Sequence, residues 1–201
     1  MSGRGRFITI EGGEGTGKST LVAGLRDSAA FSGALFTREP GGSPGAEDIR
    51  ALFVSGETDR WDAVTELLLI NAARRDHVVR TVEPALAAGR DVICDRYLDS
   101  TRAYQGARGV DRAMIDALHA RVVGLSPDRT LLLDAAPETG LARAKARQGP
   151  DRFERMETDF HAALREAFLT IARDDPARVA VLDATRAPHD VLATALDALS
   201  C

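Results

Sequence analysis

Short apolar runs alternate with longer amphipathic stretches along the chain, and this alternation predicts strands separated by helices. Each apolar run is nearly continuous, as expected for strands that are buried on both faces of a parallel sheet. The predicted strands are Phe7–Ile10, Ala34–Thr37, Val92–Cys94, Thr130–Leu133 and Val179–Leu182. The pattern therefore indicates an α/β fold, in which a five-stranded parallel sheet is flanked by helices.

Helical periodicity fills the segments between these strands. A long helix is predicted to begin at an Asp59 cap and to stop at Gly89. Shorter helices are predicted at Lys18–Ala29, Ala46–Val54, Asp111–Val123, Pro137–Arg147, Met156–Arg173 and His189–Leu199. Because neither a repeat nor a long linker interrupts the pattern, we expect a single domain over residues 1–201.

Composition and charge exclude several classes of protein. The 201 residues are 44% hydrophobic and 28% charged, as in an ordinary globular enzyme. The 26 basic and 30 acidic residues give a net charge of −4, which argues against a general nucleic-acid binder but allows a local basic pocket. Cys94 and Cys201 form no CxxC pair, so neither a disulfide scaffold nor a thiolate zinc site is expected.

The chain shows no signal-peptide pattern and no apolar run approaching the ~20 residues of a membrane helix. We therefore expect a soluble cytoplasmic protein without a membrane partner.

A glycine-rich phosphate-binding motif follows the first predicted strand. Residues 12–19 read Gly-Gly-Glu-Gly-Thr-Gly-Lys-Ser and fit G-x-x-x-x-G-K-[ST] with a strand before and a helix after. Glycines allow successive backbone N–H groups to point at phosphate oxygens, and the helix N-terminus adds its positive dipole end. Lys18 is expected to contact the β- and γ-phosphates, and the Ser19 hydroxyl is expected to ligate Mg²⁺.

The rest of the chain narrows the class of nucleotide-binding protein. The GTPase motifs DxxG and NKxD are absent from the sequence. The Asp-Glu pair that ends a strand in many motor-type ATPases is replaced by Asp95-Arg96 and Asp134-Ala135. A small-molecule kinase remains, and such an enzyme also needs a pocket for its acceptor.

Three further clusters are candidates for the acceptor pocket. They read Arg-Glu-Pro-Gly-Gly at residues 38–42, Ala-Ala-Arg at 72–74, and Asp-Arg-Tyr at 95–97 leading to Ala-Tyr-Gln-Gly at 103–106. In this order and spacing with the glycine-rich loop, the chain resembles the thymidylate kinase family, in its bacterial form, from Arg6 to about Leu199. The resemblance implies a nucleoside monophosphate kinase-like P-loop fold with a short lid at about 143–155, and transfer from MgATP to dTMP to give ADP and dTDP.

The resemblance also implies site residues. The ATP-binding set is Gly12, Gly13, Glu14, Gly15, Thr16, Gly17, Lys18, Ser19, Thr20 and Arg143. The dTMP-binding set is Glu39, Arg50, Ile70, Arg74, Arg96, Thr101 and Gln105. The residues expected near Mg²⁺ are Ser19 and Asp95, and the catalytic set is Lys18, Glu14, Arg96, Arg147 and Arg152.

Each implied role suits the chemistry of its side chain. Arg96 and Arg50 are expected to grip the acceptor phosphate, because a guanidinium group donates to two oxygens at once. Arg74 is expected to donate to a thymine carbonyl, with Gln105 and Thr101 on the opposite edge of the base. Glu14 is expected to meet the acceptor 3′-hydroxyl and a lid arginine.

Two features bear on selectivity and catalysis. The family usually has phenylalanine, stacked on thymine, where this chain has Ile70. The phosphate loop carries no arginine, whereas residues 143–155 hold five Lys/Arg against two Asp/Glu. We therefore expect the arginine that stabilises the transferring phosphoryl group to come from the lid, as Arg147 or Arg152, with Arg143 nearer the adenine.

No general base is required, because the second pKa of a phosphate monoester is near ~6 and the nucleophile is already ionised. The four histidines show no ligand spacing, so packing or surface roles are expected for them. The alternatives are a deoxynucleoside kinase, which would need a carboxylate base, and a non-enzymatic nucleotide-gated module. The resemblance also implies a homodimer.

Overall fold

The computed structural model describes residues 3–57, 60–145, 156 and 158–200. Its centre is one parallel sheet of five strands in the order β2-β3-β1-β4-β5. The strands are β1 (Phe7–Gly12), β2 (Leu35–Arg38), β3 (Val92–Asp95), β4 (Arg129–Asp134) and β5 (Val179–Asp183). The predicted α/β class and all five predicted strands are therefore confirmed, with ends that differ by no more than two residues.

Helices cover both faces of this sheet, as parallel strands joined by crossovers require. They are α1 (Lys18–Asp27), α2 (Pro44–Val54), α3 (Ala63–His77), α4 (Glu83–Ala87), α5 (Leu98–Ala107), α6 (Arg112–Val122), α7 (Pro137–Lys145), α8 (Thr158–Asp174) and α9 (Pro188–Leu199). None of the helices in the described part of the chain has the length and apolar character needed to cross a membrane.

The predicted long helix is present but is divided. It begins at Ala63 after Asp62, whose side chain accepts from the backbone N–H groups of Val64 and Thr65. Asp62, rather than the predicted Asp59, is therefore the cap, and Asp59 lies outside the described residues. Between α3 and α4 the backbone takes one wider π-type turn, which precedes Pro84, a residue without an N–H to donate.

Helix α5 is not among the predicted helices. Its buried face carries Ser100, Thr101 and Gln105 as well as apolar side chains, so it lacks a purely apolar stripe. Periodicity is detected from apolar residues, and a helix whose polar side chains face a cavity escapes such detection. The motifs predict that the same residues lie in an acceptor pocket, and this helix lines a cavity.

Two apolar layers fill the spaces between sheet and helices. One includes Leu67, Ile115 and Phe168, so it joins the sheet to α3, α6 and α8. The other includes Leu25 and Val191 and packs α1 and α9 against the opposite face. Both layers leave the carboxyl edge of the sheet open, which is where ligands bind in α/β folds.

The backbone of the phosphate loop also lies directly against the backbone of α7. A Cβ atom added at Gly140 would overlap the carbonyl oxygen of Glu14, and one added at Gly15 would overlap the carbonyl oxygen of Gly140. The two segments can approach this closely only because both positions are glycine. The packing fixes the start of the segment that leads toward the predicted lid.

We predict that Gly140→Ala lowers the free energy of unfolding by about 1–3 kcal/mol, the usual cost of overpacking a tight site. It should also weaken ATP binding, because the loop must shift. Gly106→Ala in α5 is the matched control, since nothing lies within 4 Å of the added Cβ atom. There the helix propensity of alanine should stabilise the protein by up to about 1 kcal/mol. Urea denaturation checks both variants, and equal effects would contradict the proposed packing.

Candidate active site

The carboxyl ends of three neighbouring strands bring the predicted motifs together. Asp95 pairs with Ile10 in β1 and with Arg38 in β2, so the loops that follow β1, β2 and β3 begin at one edge. They surround a cavity of about 830 Å³. The predicted site residues that line it are Glu14, Gly15, Thr16, Gly17, Lys18, Ser19, Thr20, Glu39, Arg50, Ile70, Arg74, Asp95, Arg96, Thr101, Gln105 and Arg143.

Two predicted residues of the phosphate loop do not line the cavity. Gly12 and Gly13 lie in the same loop but accept hydrogen bonds through their carbonyl oxygens instead of lining the cavity wall. Arg147 and Arg152 lie outside the described residues, as does most of the predicted lid.

The phosphate loop has the backbone geometry that its sequence predicts. Gly12, Gly15 and Gly17 have positive φ angles of 140°, 66° and 93°, and Gly17 precedes the first turn of α1. The Lys18 ammonium donates to the carbonyl oxygens of Gly12 and Gly13 at 3.0 and 2.7 Å. Lys18 therefore lies over the loop at the start of a helix, where an anion is favoured.

Arg96 occupies an uncommon backbone conformation. Its φ angle is 70°, and no other non-glycine residue in the described part of the chain has a positive φ. Its backbone N–H donates to Ile10 O at 2.9 Å, and its guanidinium group donates to Gly12 O at 3.0 Å and to Glu14 Oε1 at 2.9 Å. The turn after β3 thus aims Arg96 back at the phosphate loop.

Glu14 is an ionised partner of these cations. Burial by itself would raise its pKa, but Arg96 and Lys18 outweigh burial and lower the pKa to about 2. The Tyr104 hydroxyl donates to the same carboxylate oxygen at 2.5 Å, and the Tyr104 ring lies 5.0 Å from the Arg96 guanidinium carbon. Burial and the charge of Arg96 lower the pKa of Lys18 to about 8.

A second buried cation lines the cavity from α3. Arg74 on α3 is 1% exposed, and its Nε donates to Glu39 Oε2 at 2.7 Å. Its Nη2 donates to Thr101 Oγ1 at 2.8 Å, whereas Nη1 has no hydrogen-bond partner within the described residues. Arg74 also lines the cavity, so Nη1 is a buried donor beside the cavity whose hydrogen-bonding capacity is unused within the described residues.

The other predicted acceptor residues are also held by polar contacts. Gln105 Nε2 donates to Glu66 Oε2 at 3.1 Å, and Arg108 forms an ion pair with Glu66 behind it. Arg50 Nη1 donates to Pro40 O at 2.7 Å. The prediction that Thr101 and Gln105 read the edge of a base opposite Arg74 stays a prediction, although the Thr101 hydroxyl is bonded to Arg74 itself.

Position 70 carries an aliphatic side chain, but an aromatic side chain on another helix lines the same cavity. Phe53 on α2 and Ile70 on α3 both line the cavity, and each is 6% exposed. Phe53 is not a predicted site residue, because the motif positions that suggest base contacts lie on α3 and α5. An aromatic side chain is therefore present in the cavity, on a different helix.

One end of the cavity lies beside the start of α9. Arg143 Nη1 donates to Ala184 O at 2.9 Å, and Ala184, Arg186 and Pro188 line the cavity there. Of Asp183, Ala184 and Thr185, which lie at the end of β5 and directly after it, only Ala184 lines the cavity. The Asp183 carboxylate instead accepts from the backbone and hydroxyl of Thr185, and these hydrogen bonds lower the pKa of Asp183.

The residues predicted to lie near Mg²⁺ suit an ion that phosphate oxygens also coordinate. The described residues contain no group of three or more His, Cys, Asp or Glu side chains that could hold a metal ion by themselves. Ser19 and Asp95 line the same cavity, and the buried Asp95 Oδ1 atom has no hydrogen-bond partner within the described part. A hydroxyl and a carboxylate with phosphate and water ligands form the usual oxygen set of Mg²⁺.

Glu11 supports the site without lining the cavity, and the sequence did not indicate this role. It lies at the end of β1 with 0% exposure, and its carboxylate accepts from Tyr97 N at 2.8 Å, Ser100 N at 3.2 Å and Ser100 Oγ at 2.6 Å. These bonds hold the segment that follows Arg96 and begins α5. A lone acidic residue directly after an apolar strand is the signal that could have identified it.

Three of the four histidines are buried, in agreement with the packing roles predicted for them. His77, His119 and His161 are 0%, 4% and 3% exposed, and the His189 side chain is 83% exposed. Burial and Arg74 lower the pKa of His119 to about 4, so this ring is neutral at physiological pH.

Comparison with known proteins relates the whole chain to one family. A family model described as Thymidylate kinase matches residues 10–194. Among curated proteins, thymidylate kinase from Ruegeria pomeroyi is 53% identical over 197 residues, covering 96% of this chain and 93% of the relative. Thymidylate kinase from Caulobacter vibrioides is 54% identical over 185 residues, covering 90% of this chain and 89% of the relative.

A solved structure shows the same relationship. The crystal structure of thymidylate kinase from Ehrlichia chaffeensis has a TM-score of 0.78 and 30% sequence identity to this chain. The similarity covers 98% of this chain and 99% of that chain.

The raised pKa of Glu11 predicts a pH-dependent stability. Burial and the charge of Asp99 raise this pKa from 4.5 to about 7 in the folded protein. Between these values the unfolded chain releases a proton that the folded chain retains, so stability falls as the pH rises. This difference in pKa corresponds to about 3 kcal/mol in total.

Glu11→Gln removes this titration while preserving the shape of the side chain. The stability difference between wild type and Glu11→Gln should change by about 2–3 kcal/mol between about pH 5 and pH 8, in favour of the variant at the higher pH. Urea midpoints measured at both pH values check this expectation. A difference that does not vary with pH would contradict the raised pKa.

Proposed function

The chain belongs to the thymidylate kinase family and phosphorylates dTMP, and we propose that the cavity described above carries out this transfer with MgATP as the donor, releasing ADP and dTDP. One observation carries the assignment of the site. The phosphate loop with Lys18 and the acceptor-side cations Arg96 and Arg74 converge on the same cavity. Two anions can therefore be aligned end to end within one protein pocket.

The donor half binds the triphosphate. Backbone N–H groups of residues 13–20 and the N-terminus of α1 face the phosphates, and Lys18 exchanges its carbonyl partners for the β- and γ-oxygens. Arg143 and the Ala184 carbonyl lie at the adenine end. The positive charge of Lys18 then offsets charge that develops on the transferring group.

Ser19 and Asp95 are the residues that hold Mg²⁺ in this proposal. Asp95 reaches the ion directly or through a water molecule, and its unpartnered Oδ1 supports this role. When bound, Mg²⁺ supplies positive charge to the phosphate oxygens of the donor.

The acceptor half binds dTMP through its two ends. Arg96 and Arg50 grip the 5′-phosphate, and the free Nη1 group of Arg74 donates to a thymine carbonyl. Gln105 and Thr101 contact the base edge, and Ile70 with Phe53 covers its face. Glu39 holds Arg74, and Glu14 holds Arg96 close to the donor phosphates.

The chemical step needs no protein base, since the phosphate of dTMP is ionised at neutral pH. Alignment of the two substrates and neutralisation of their charges supply the catalysis. Arg147 and Arg152 stay the predicted source of the lid arginine. Action in the cytoplasm also stays a prediction.

A coupled assay of ADP release tests the assignment. With MgATP, turnover should be highest with dTMP and lower with dUMP, and much lower with dCMP, dGMP and AMP. Lys18→Met should reduce kcat by about 10²-fold or more, on the scale of losing one charge-stabilising donor.

Arg26→Met is the matched control for Lys18→Met. It removes a positive charge from the last turn of the same helix α1, at a position outside the cavity lining, so kcat should stay close to the wild-type value. Normal kcat in folded Lys18→Met would refute the donor site.

We also propose that the protein is a homodimer. Val64, Leu68 and Val79 are 42%, 53% and 41% exposed, and Leu52 on the neighbouring helix α2 is 44% exposed. Leu68 and Val79 are eleven residues apart, close to three helical turns, so they lie on one side of the helical segment. Such an apolar surface is typical of a contact between subunits.

Leu68→Glu should therefore shift the protein from a dimer to a monomer of 21.5 kDa in sedimentation experiments. A charged group buried without a partner opposes association strongly. Met114→Glu on α6 is the control, because Met114 is 42% exposed and lies on a different helix. A wild-type protein that sediments as a monomer would contradict the proposal.

A further inference from the structure

We propose that His77 is a positioning residue for recognition of the acceptor base, acting through Glu39 to hold the Arg74 guanidinium group in place. This inference rests on the proposed contact between Arg74 and the thymine carbonyl. The sequence by itself indicates only a packing or surface role for His77. Its position in a continuous chain of hydrogen bonds that ends in the cavity indicates a further role.

The chain of bonds begins at the end of β2 and crosses to α3. Thr37 Oγ1 lies 2.8 Å from His77 Nε2, and His77 Nδ1 lies 3.0 Å from Glu39 Oε1. The second oxygen of Glu39 accepts from Arg74 Nε at 2.7 Å. Arg74 and His77 are three residues apart on α3, so both side chains lie on the same face of the helix.

The partners determine which ring nitrogen carries the proton. The carboxylate of Glu39 can only accept, so His77 Nδ1 donates to it. In the neutral ring Nε2 is then an acceptor, and the Thr37 hydroxyl donates to it. His77 is thereby held at both nitrogens, and it occupies one oxygen of Glu39 while Arg74 occupies the other.

The surroundings leave the imidazole ring little freedom. His77 is 0% exposed, and a Cβ atom added at Gly42 would lie 2.5 Å from both His77 Nε2 and Thr37 Oγ1. The Gly42 carbonyl oxygen in turn accepts from the Thr81 hydroxyl at 2.9 Å, which ties this loop to the helical segment after His77. The ring is therefore enclosed by backbone on the side away from Glu39.

The contacts of Arg74 fix the orientation of its guanidinium group and leave one nitrogen without a partner. Nε is taken by Glu39, Nη2 is taken by Thr101, and the guanidinium carbon lies 4.8 Å from the centre of the Tyr97 ring. Only Nη1 has no partner within the described residues. If the His77 bond is lost, Glu39 can rotate, and Nη1 is no longer held in one direction.

The direction of Nη1 matters because a guanidinium group donates and never accepts. It therefore favours a base with a carbonyl oxygen at this point and rejects one with an amino group. The strength of this discrimination depends on how well the donor is aimed, because hydrogen bonds weaken steeply when they are misaligned. His77 thus affects selectivity although it does not contact the base.

The test compares kcat/KM of each variant for two substrates that differ in the acceptor strength of one carbonyl group. The contact is assigned to the 4-carbonyl, because a base with an amino group in place of a thymine carbonyl has it at this position. The substrates are dTMP and 4-thio-dTMP, in which sulfur, a weak acceptor, replaces the oxygen of that carbonyl. The variants are His77→Leu, His77→Asn and His77→Gln. Asparagine retains a donor at the position of Nδ1 toward Glu39, whereas glutamine reaches the position of Nε2 toward Thr37.

We expect wild type to prefer dTMP in kcat/KM. His77→Leu and His77→Gln should lose most of this preference. Their KM for dTMP should rise about 10-fold, whereas their KM for ATP should stay within a few-fold of wild type. Only the orientation of the hydrogen bond from Arg74 to the base is lost in these variants. His77→Asn should retain the preference. A purely structural role would lower stability and activity without changing the ratio between the two substrates.

Two results would overturn the inference. One is an unchanged preference in folded His77→Leu. The other is an equal preference in His77→Asn and His77→Gln, a comparison that remains decisive if His77→Leu does not fold. Arg74→Met separates this inference from the proposed function, because methionine has no hydrogen-bond donor, whereas lysine would still donate. A wild-type preference in folded Arg74→Met refutes the contact between Arg74 and the base, whereas loss there with full preference in His77→Gln refutes the role of His77 alone.

Discussion

Arg96 joins the two halves of the active site, and the arrangement of the cavity depends on its contacts. Its backbone N–H is bonded to β1, and its guanidinium group is bonded to Gly12 and Glu14 of the phosphate loop. This geometry requires a left-handed backbone conformation that costs a non-glycine residue about 1–3 kcal/mol. The bonds from Tyr97 and Ser100 to the buried carboxylate of Glu11 hold the next turn and offset that cost.

Buried charge is the second constraint on the structure, and the buried carboxylates of the site are paired with neighbouring side chains. Glu14 lies between Arg96 and Lys18, and Glu39 lies between Arg74 and His77. Removing one member of such a group leaves an uncompensated buried charge, which is strongly destabilising. The cations proposed to bind phosphate or base are therefore held in place before any substrate arrives, so less ordering is required on binding.

The sequence predicted the sheet and the phosphate loop well, because both depend on local patterns. Continuous apolar runs identify buried parallel strands, and the glycines of residues 12–17 can adopt the positive φ angles that the loop requires. Helix α5 was missed because Ser100, Thr101 and Gln105 replace the apolar stripe by which a helix is detected. The Asp62 cap was misplaced by three residues, since Asp59 and Asp62 precede the same apolar pattern.

The sequence by itself determined the α/β class, the location of the phosphate loop and, through its motifs, most of the side chains that line the cavity. Only the tertiary structure decided how those side chains are partnered. Glu11 and Tyr97 are 86 positions apart, and Glu39 and Arg74 are 35 apart, so no local pattern reports their contact. They meet because parallel strands bring their carboxyl ends to a single edge, where burial then requires every charge to find a partner.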